Sequence, residues 1–385
     1  LDPDLHSSSM DETDMVFAGF VAFLDPPKES AKEAIRALQT SGIALKILTG
    51  DSELVTKKVC RELGFEITGV VLGRELEGKG EKELRAIVER VNIFARVTPV
   101  QKNDIMLALK KNNHVVGFMG DGVNDAPSLR TADVGISVNN AVDVAKESAD
   151  IILMKNDLHV LNDGVLEGRK TFGNTMKYIQ MGISSNFGNM FSAAGAALFL
   201  PFLPMLPLQL LLLNLIYNLS ETTIPTDNVD DEYVKRPKRM DIQFIRDFMV
   251  FFGPISSVYD YLTFGVLIFF FHATGSLFQT AWFIESITTQ TLIIFAIRTR
   301  KSPFYRSRPS PPLILSSAMV VTFALILPFS PLAELFSFVP LPPAFYAFLI
   351  VFVLSYFLLV ELLKLLFYRR HTQDTSMAGR EGGPT

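Results

Sequence analysis

The sequence predicts two consecutive parts: an α/β parallel-sheet domain over residues 1–160 and an α-helical membrane domain of six spans over residues 161–370. Two observations support this division. Residues 1–170 are charged and mixed in polarity, and short apolar runs alternate there with amphipathic helical patterns. Residues 171–370 are apolar, rich in Phe and interrupted by short basic loops. Strands that are wholly apolar and alternate with helices are typical of a parallel sheet covered on both faces.

Each element of the first part follows from its local pattern. The predicted strands are "MVFAGFVAFL", "IALKILTG", "VVLG", "IFARV", "HVVGFMG" and "DVGISV". The predicted helices are "KESAKEAIRALQTSG", "SELVTKKVCRELG" and three more near 80–91, 99–112 and 143–148. Gly42 and Gly64 mark the ends of the first two helices. The single Cys60 excludes a disulfide within the chain, and the net charge of −4 argues against nucleic acid as a partner.

Polar side chains follow three of these strands. Thr49, Gly50 and Asp51 follow "IALKIL", and Lys102 lies early on the helix after "IFARV". Asp121, Asn124 and Asp125 follow "HVVGFM". Taken singly, each motif is more often a turn or a solvated residue. Ligands of parallel sheets bind beyond the carboxyl ends of the strands, so the combination at one rim predicts phosphoryl transfer with Mg²⁺ held by carboxylates.

The stretches "LDPPKESAKEAI", "ILTGDS", "FARVTPVQK" and "MGDGVNDAPSLRTADVGISV" resemble the phosphorylation domain of P-type ATPases over about residues 15–160. That domain is haloacid-dehalogenase-like. The resemblance implies a catalytic set of Thr49, Gly50, Asp51, Lys102 and Asn124 around the phosphoryl group. It also implies that Asp121 and Asp125 hold the catalytic Mg²⁺ that accompanies ATP.

One part of the family pattern is absent from this chain. The phosphorylated aspartate lies in an Asp-Lys-Thr-Gly-Thr sequence, which does not occur here. We therefore expect an incomplete phosphorylation domain in a C-terminal fragment, inactive alone, whose partner is the missing upstream N-terminal half. Because that aspartate follows a central strand, its absence predicts a gap lined by unpaired backbone groups in the sheet.

Six apolar segments in the second part are near the length that a bilayer requires. These predicted spans are about 179–200, 206–224, 248–271, 279–297, 311–331 and 342–366. Lys and Arg occur in alternate connections, before the first span, within 235–246 and 298–308, and after the sixth span, whereas the three other connections carry none. The positive-inside rule therefore predicts a multi-pass protein of the plasma (inner) membrane with both chain ends cytoplasmic. Residues 371–385 are predicted to be a disordered tail.

Polar residues inside the predicted spans define a candidate ion path. It comprises Asn186, Asn189, Asn214, Asn218 and Glu221. Asp260, Glu285 and Gln290 are further polar residues within spans. For any single residue the alternative role is a hydrogen bond that holds two helices together.

The membrane part resembles the bacterial magnesium-transporting P-type ATPases, for example in "LPFLPMLPLQLLLLNLIY" and "TQTLIIFAIRTRKSPF". The resemblance implies an ATP-driven transporter of a divalent cation, most like Mg²⁺, with residues 155–178 coupling phosphorylation to helix movement. One departure matters: the family usually has Asp at the position of Asn218. The alternatives are a pump for another cation such as Ca²⁺, or a non-catalytic or decayed membrane protein.

Overall fold

The computed structural model describes residues 16–19, 29–155 and 157–381, with side chains described up to residue 369. The chain divides into two compact units, Leu1–Asn162 and Asp163–Thr385. The first unit contains the described strands and the second is helical.

The described strands of the first unit form two parallel sheets of three strands each. The strands are β1 (Ile47–Leu48), β2 (Val70–Leu72), β3 (Ile93–Ala95), β4 (Gly117–Met119), β5 (Val134–Val138) and β6 (Ile151–Leu153). One sheet has the order β1-β3-β2 and the other β4-β5-β6. Within the described ranges, no strand pairs with the outer edge of β1 or of β4. Among the described residues the outer edges of β1 and β4 thus have no strand partner, and the gap that the sequence predicts in the sheet stays a prediction.

The strands differ from the predicted ones at both ends of the domain. In the predicted strand "MVFAGFVAFL", residues 16–19 are not strand and Val16 is 90% exposed, while residues 20–24 lie outside the described residues. Strand β6 was not predicted. It pairs with β5 through Ile136 and Ile151, and this long-range pairing is not visible in a segment of only three apolar residues.

Seven helices are described before residue 155, and two of them, α2 and α5, begin with a side-chain cap. They are α1 (Glu29–Thr40), α2 (Glu53–Glu62), α3 (Gly73–Leu76), α4 (Glu81–Arg90), α5 (Pro99–Lys111), α6 (Ala126–Thr131) and α7 (Asp143–Ser148). Helix α5 carries a capping box, in which Thr98 Oγ1 accepts from the backbone N–H of Gln101 and Gln101 Oε1 accepts from the backbone N–H of Thr98. This cap fixes the start of the helix that carries Lys102.

Apolar clusters lie under both sheets. One contains Phe94 of β3 and Ile105 of α5, and another contains Phe118 of β4 and Met106 of α5. Leu48 of β1 packs against both clusters. Helix α5 and strand β1 therefore hold the two sheets side by side through buried apolar surface.

The second unit consists of six long helices and two helices of a single turn, α10 and α13, in its described part. The helices are α8 (His159–Ala196), α9 (Pro207–Glu221), α10 (Asp231–Val234), α11 (Ile242–Phe269), α12 (Gly275–Leu292), α13 (Ile294–Ile297), α14 (Pro311–Ile326) and α15 (Pro343–Glu381). Helix α8 runs without interruption through residues 159–178, which form most of the predicted coupling segment 155–178.

Four segments of the described chain are long and apolar enough to cross a membrane: Ile242–Phe269, Gly275–Ile297, Pro311–Phe329 and Pro343–Arg369. They coincide with the last four predicted spans. The count of six is not confirmed. The first predicted span falls on α8, and the second falls on α9, whose 15 residues reach about 22 Å at the α-helical rise, short of a hydrocarbon core of about 30 Å.

The last helix overlaps the predicted tail, whose disorder stays a prediction. Helix α15 continues to Glu381, into the predicted disordered tail of 371–385, and residues 382–385 lie outside the described residues. The chain has neither Gly nor Pro between Pro343 and Gly379, so no residue in that interval forces the helix to end.

A buried carboxylate, Asp227, joins three segments of the second unit. Lys177 Nζ of α8 and Arg298 Nε, directly after α13, each lie 2.7 Å from Asp227 Oδ2. The backbone N–H of Ser310 donates to Asp227 Oδ1 at 2.9 Å. The side chain of Asp227 is fully buried, so two cations and one amide compensate its charge.

Candidate active site and intramembrane polar cluster

The loop after β1 is fixed against the loop after β3. The backbone N–H of Val97 donates to the carbonyl of Thr49 at 3.1 Å, and that of Arg96 donates to the carbonyl of Asp51 at 3.0 Å. Thr49 Oγ1 donates to Asp51 Oδ2 and accepts from the backbone N–H of Asp51, both at 3.0 Å. The hydroxyl of Thr49 is therefore positioned at the carboxyl end of β1.

An ion pair connects the ends of the two sheets. Lys102 Nζ of α5 lies 2.7 Å from Asp125 Oδ1, in the turn that follows β4. Only 15% of the Lys102 side chain and 13% of the Asp125 side chain are exposed. A pair that is this short and this buried is positioned far more firmly than a surface salt bridge.

Glycines shape the turn around Asp121. The backbone N–H of Gly122 donates to Asp125 Oδ2 at 3.3 Å. A Cβ atom at Gly120 would lie 2.5 Å from Asp125 Cβ, so only glycine leaves room for the aspartate at this position. The sequence "GDGVND" thus turns back on itself and points Asp125 towards Lys102.

Asp121 is the carboxylate that remains available for a cation. It is exposed, its backbone carbonyl accepts from Val142, and among the described residues its carboxylate makes no hydrogen bond or ion pair. Mg²⁺ is commonly held by one or two carboxylates, with phosphate and water as its other ligands. No group of three or more His, Cys, Asp or Glu that could hold a metal occurs among the described residues. Asp121 would therefore hold Mg²⁺ only together with phosphate and water.

The predicted catalytic residues are therefore only partly in contact. Thr49 contacts Asp51, and Lys102 contacts Asp125. Gly50 and Asn124 are exposed at their strand ends. Asp125, predicted as a metal ligand, uses both carboxylate oxygens for Lys102 and Gly122, and its role towards a metal stays a prediction.

A polar cluster joins α8 to α12 in the second unit. Gln290 Nε2 donates to Asn189 Oδ1 and to Ser286 Oγ, both at 2.8 Å. Ser185 Oγ donates to Gln290 Oε1 at 2.8 Å. Asn189 Oδ1, the oxygen that could bind a cation, is thus already satisfied by the amide of Gln290. Gln290 was absent from the predicted ion path because its contact depends on helix packing.

The other predicted path residues lie elsewhere on their helices. Glu221 is 3% exposed, and its Oε1 atom has no hydrogen-bond partner among the described residues. It faces α8, since a Cβ atom at Gly182 would lie 3.9 Å from that oxygen. Asn186, Asn214 and Asn218 are exposed. The structure therefore does not gather the five predicted residues into one enclosed site.

Two family profiles match the chain. The profile "haloacid dehalogenase-like hydrolase" matches residues 6–133, and "Cation transporting ATPase, C-terminus" matches residues 202–366. The chain is 50% identical over 366 residues to a magnesium-transporting P-type 1 ATPase of Salmonella typhimurium, which covers 94% of this chain and 41% of that protein. Its match to the corresponding protein of Escherichia coli K12 is 50% identical over 365 residues, with the same coverage.

The chain is homologous to magnesium-transporting P-type ATPases. It spans about 41% of the length of these relatives. A more distant relative, an endoplasmic reticulum calcium ATPase of Aspergillus fumigatus, is 32% identical over 249 residues, which cover 62% of this chain and 26% of that protein. Together with the four apolar helices, these matches make the chain a multi-pass membrane protein.

Proposed function

We propose that this chain forms the C-terminal part of an ATP-driven Mg²⁺ transporter, and that the aspartate phosphorylated in its cycle lies outside the chain. The observation that carries the proposal is the buried Lys102–Asp125 pair at the ends of two parallel sheets. The 50% identity to magnesium-transporting ATPases supports the choice of ion. The chain alone is then inactive as an ATPase.

Each side chain at the rim has a place in phosphoryl transfer. Lys102 would neutralise the transferred phosphoryl group, while Asp125 keeps its ammonium in position. The Thr49 hydroxyl would bind a phosphate oxygen. Asp121 would hold Mg²⁺, which supplies positive charge next to the phosphate. Asn124 and Gly50, which are exposed at their strand ends, would contact the phosphate surroundings.

The edges of β1 and β4, which pair with no strand in the described part of the chain, support a partner for the first unit. A parallel strand inserted between them would satisfy both edges and join the two sheets. A strand that ends in the phosphorylated aspartate would bring this group to the rim where Thr49, Lys102 and Asp121 lie. We propose that the N-terminal half of the complete protein supplies this strand.

The cation would pass between α8, α9 and α12. Asn189 and Glu221 face the interior, and an amide oxygen and a carboxylate are suitable ligands for a divalent cation or its water shell. Asn186, Asn214 and Asn218 face outward and would need a further helix to complete a site around them. The calcium ATPase match leaves Ca²⁺ as the second candidate cargo.

The direction of insertion follows from the loop charges. The alternation of basic connections supports cytoplasmic chain ends and a place in the plasma membrane, with the phosphate site on the side where ATP is present.

The decisive experiment measures acid-stable, hydroxylamine-sensitive label from radioactive ATP and Mg²⁺. It compares this chain alone with the chain co-expressed with the N-terminal half of a relative. We expect label only in the second case, on the added half, and its loss in Asp121→Asn. Asp143→Asn, at an exposed carboxylate of α7, is the matched control and should be labelled normally.

Two outcomes would contradict the proposal. Normal label in Asp121→Asn would remove Asp121 from the phosphate site. No label under any condition would favour a non-catalytic membrane protein.

A further inference from the structure

A buried serine lies in the central strand of the sheet β4-β5-β6. Ser137 of β5 is 0% exposed, and it is the only polar side chain in the strand Val134–Val138. Its hydroxyl donates to the backbone carbonyl of Gly120, the residue before Asp121, at 2.9 Å. A buried hydroxyl needs a hydrogen-bond partner, and this one finds it in the loop that carries the candidate Mg²⁺ ligand.

This hydrogen bond continues the pairing of β4 with β5 beyond the end of β4. The last backbone pair of the two strands joins Met119 and Ile136. Beyond that pair, the backbone N–H of Gly120 donates to the carbonyl of Ile136 at 3.1 Å. In the described part of the chain no backbone N–H donates to the Gly120 carbonyl, so the Ser137 hydroxyl is its donor.

A second bond holds the other side of Asp121. The backbone N–H of Val142, directly before α7, donates to the Asp121 carbonyl at 3.1 Å. The two peptide groups that flank the Asp121 Cα atom are therefore both anchored, one by Ser137 and one by Val142. Because peptide groups are planar, anchoring both of them fixes the direction of the Cα–Cβ bond that carries the exposed Asp121 carboxylate.

We infer that Ser137 is a positioning residue for Asp121. It acts through the backbone, since its hydroxyl is engaged by the Gly120 carbonyl. The role towards Mg²⁺ rests on the proposed function, whereas the role towards the loop does not. A ligand that is already held in place loses less freedom on binding, so loss of this bond should weaken Mg²⁺ binding without abolishing it.

Ser128 of α6 provides the matched control. It is also 0% exposed, and its hydroxyl has no hydrogen-bond partner among the described residues. Ser137→Ala and Ser128→Ala therefore remove the same atom from equally buried positions of one unit, but only Ser137→Ala removes a bond to the loop. Ser137→Thr keeps the hydroxyl on a β-branched side chain, which suits a strand.

The first measurement is hydrogen–deuterium exchange of the intact chain in lipid nanodiscs, without ATP and Mg²⁺. In Ser137→Ala we expect residues 119–123 to exchange about 5- to 30-fold faster than in the wild type, because a buried carbonyl loses its donor. Ser137→Thr and Ser128→Ala should keep the wild-type rate. Equal rates in the two alanine variants, or a rate in Ser137→Thr as high as in Ser137→Ala, would overturn the inference.

The second measurement separates positioning from stability. It uses the chain co-expressed with the N-terminal half of a relative and follows the label from radioactive ATP as the Mg²⁺ concentration rises. In Ser137→Ala, the Mg²⁺ concentration for half-maximal label should increase about 10-fold, as is typical when a partner of a metal ligand is lost, while the maximal label stays unchanged. A lower maximum at an unchanged half-maximal concentration would contradict the inference, because it would indicate a merely destabilised domain.

Failure of the proposed function would give a different result. Asp121→Asn would then be labelled normally, while the difference in exchange between Ser137→Ala and Ser128→Ala would remain. The exchange experiment therefore tests the role of Ser137 in the loop independently of the pump assignment.

Discussion

The replacement of Gly120 by alanine tests the packing of the candidate active site. The added Cβ atom would lie 2.5 Å from Asp125 Cβ, 2.8 Å from its Cγ and 2.9 Å from Oδ2. These atoms belong to a short side chain whose position is set by Lys102 and Gly122, so it cannot yield without leaving them. Gly122→Ala is the matched control, since its Cβ atom would lie 3.5 Å from Asp125 Oδ2, an ordinary contact.

The magnitude follows from two contributions. Overpacking typically costs about 1–3 kcal/mol, and a charge-assisted hydrogen bond contributes about 1.5–3 kcal/mol. Displacing Asp125 relieves part of the overlap, so the two contributions do not add in full. We expect Gly120→Ala to lower the free energy of local opening by about 3 kcal/mol, which raises the local opening equilibrium constant roughly 100-fold. Gly122→Ala should stay within about 1 kcal/mol of the wild type.

Hydrogen–deuterium exchange of residues 117–138 in the intact chain measures this opening. Strands β4 and β5 should exchange faster in Gly120→Ala, while α11 and α12 of the same sample provide an internal reference. Equal protection in the two alanine variants would refute the reasoning, because it would mean that Asp125 is not confined by the turn.

Three further predictions address other parts of the molecule. Asp227→Asn should destabilise the helical unit by about 3–5 kcal/mol in thermal unfolding, because it leaves the buried Lys177 and Arg298 without their carboxylate. A destabilisation below about 1 kcal/mol would show that the cluster is hydrated. Burial opposes ionisation of Asp133, but the Val116 N–H and Lys110 outweigh it and lower its pKa. Asp133→Asn should therefore lower the free energy of unfolding by up to about 1 kcal/mol at neutral pH. This difference from the wild type should vanish as the pH falls through the folded-state pKa of Asp133, and a difference that persists in acid would contradict a contribution of this ion pair. In the complete transporter, Asn218→Asp should strengthen the stimulation of ATPase activity by divalent cations, and an unchanged ion dependence would remove position 218 from the cation path.

Much of the first unit was predictable because its determinants are local. The Thr98 cap, the glycines around Asp121 and the apolar run "IFA" each act within a few residues, and motif spacing placed Thr49, Lys102 and Asp121 at strand ends. The homology to P-type ATPases confirmed the family resemblance. The Lys102–Asp125 pair was not predicted, because it depends on how α5 packs against the turn after β4.

In the helical unit, the contacts between helices could not be predicted from the sequence. Periodicity places Asn189, Asn214 and Glu221 on helices, but it cannot tell which neighbour faces each side chain. Hydropathy detected four spans that the structure also has, while the end of α15 and the exposure of Asn214 and Asn218 depend on packing.

The sequence by itself determined the order of elements, the separation into a charged and an apolar part, and the chemical types at the rim, since these depend on composition and local backbone preference. Only the tertiary structure decided that Lys102 meets Asp125, that Gln290 satisfies Asn189, and that Trp282 donates to Asp260. Those contacts join residues far apart in the chain. Their free energy comes from burial and from hydrogen bonds formed between elements, which no local pattern records.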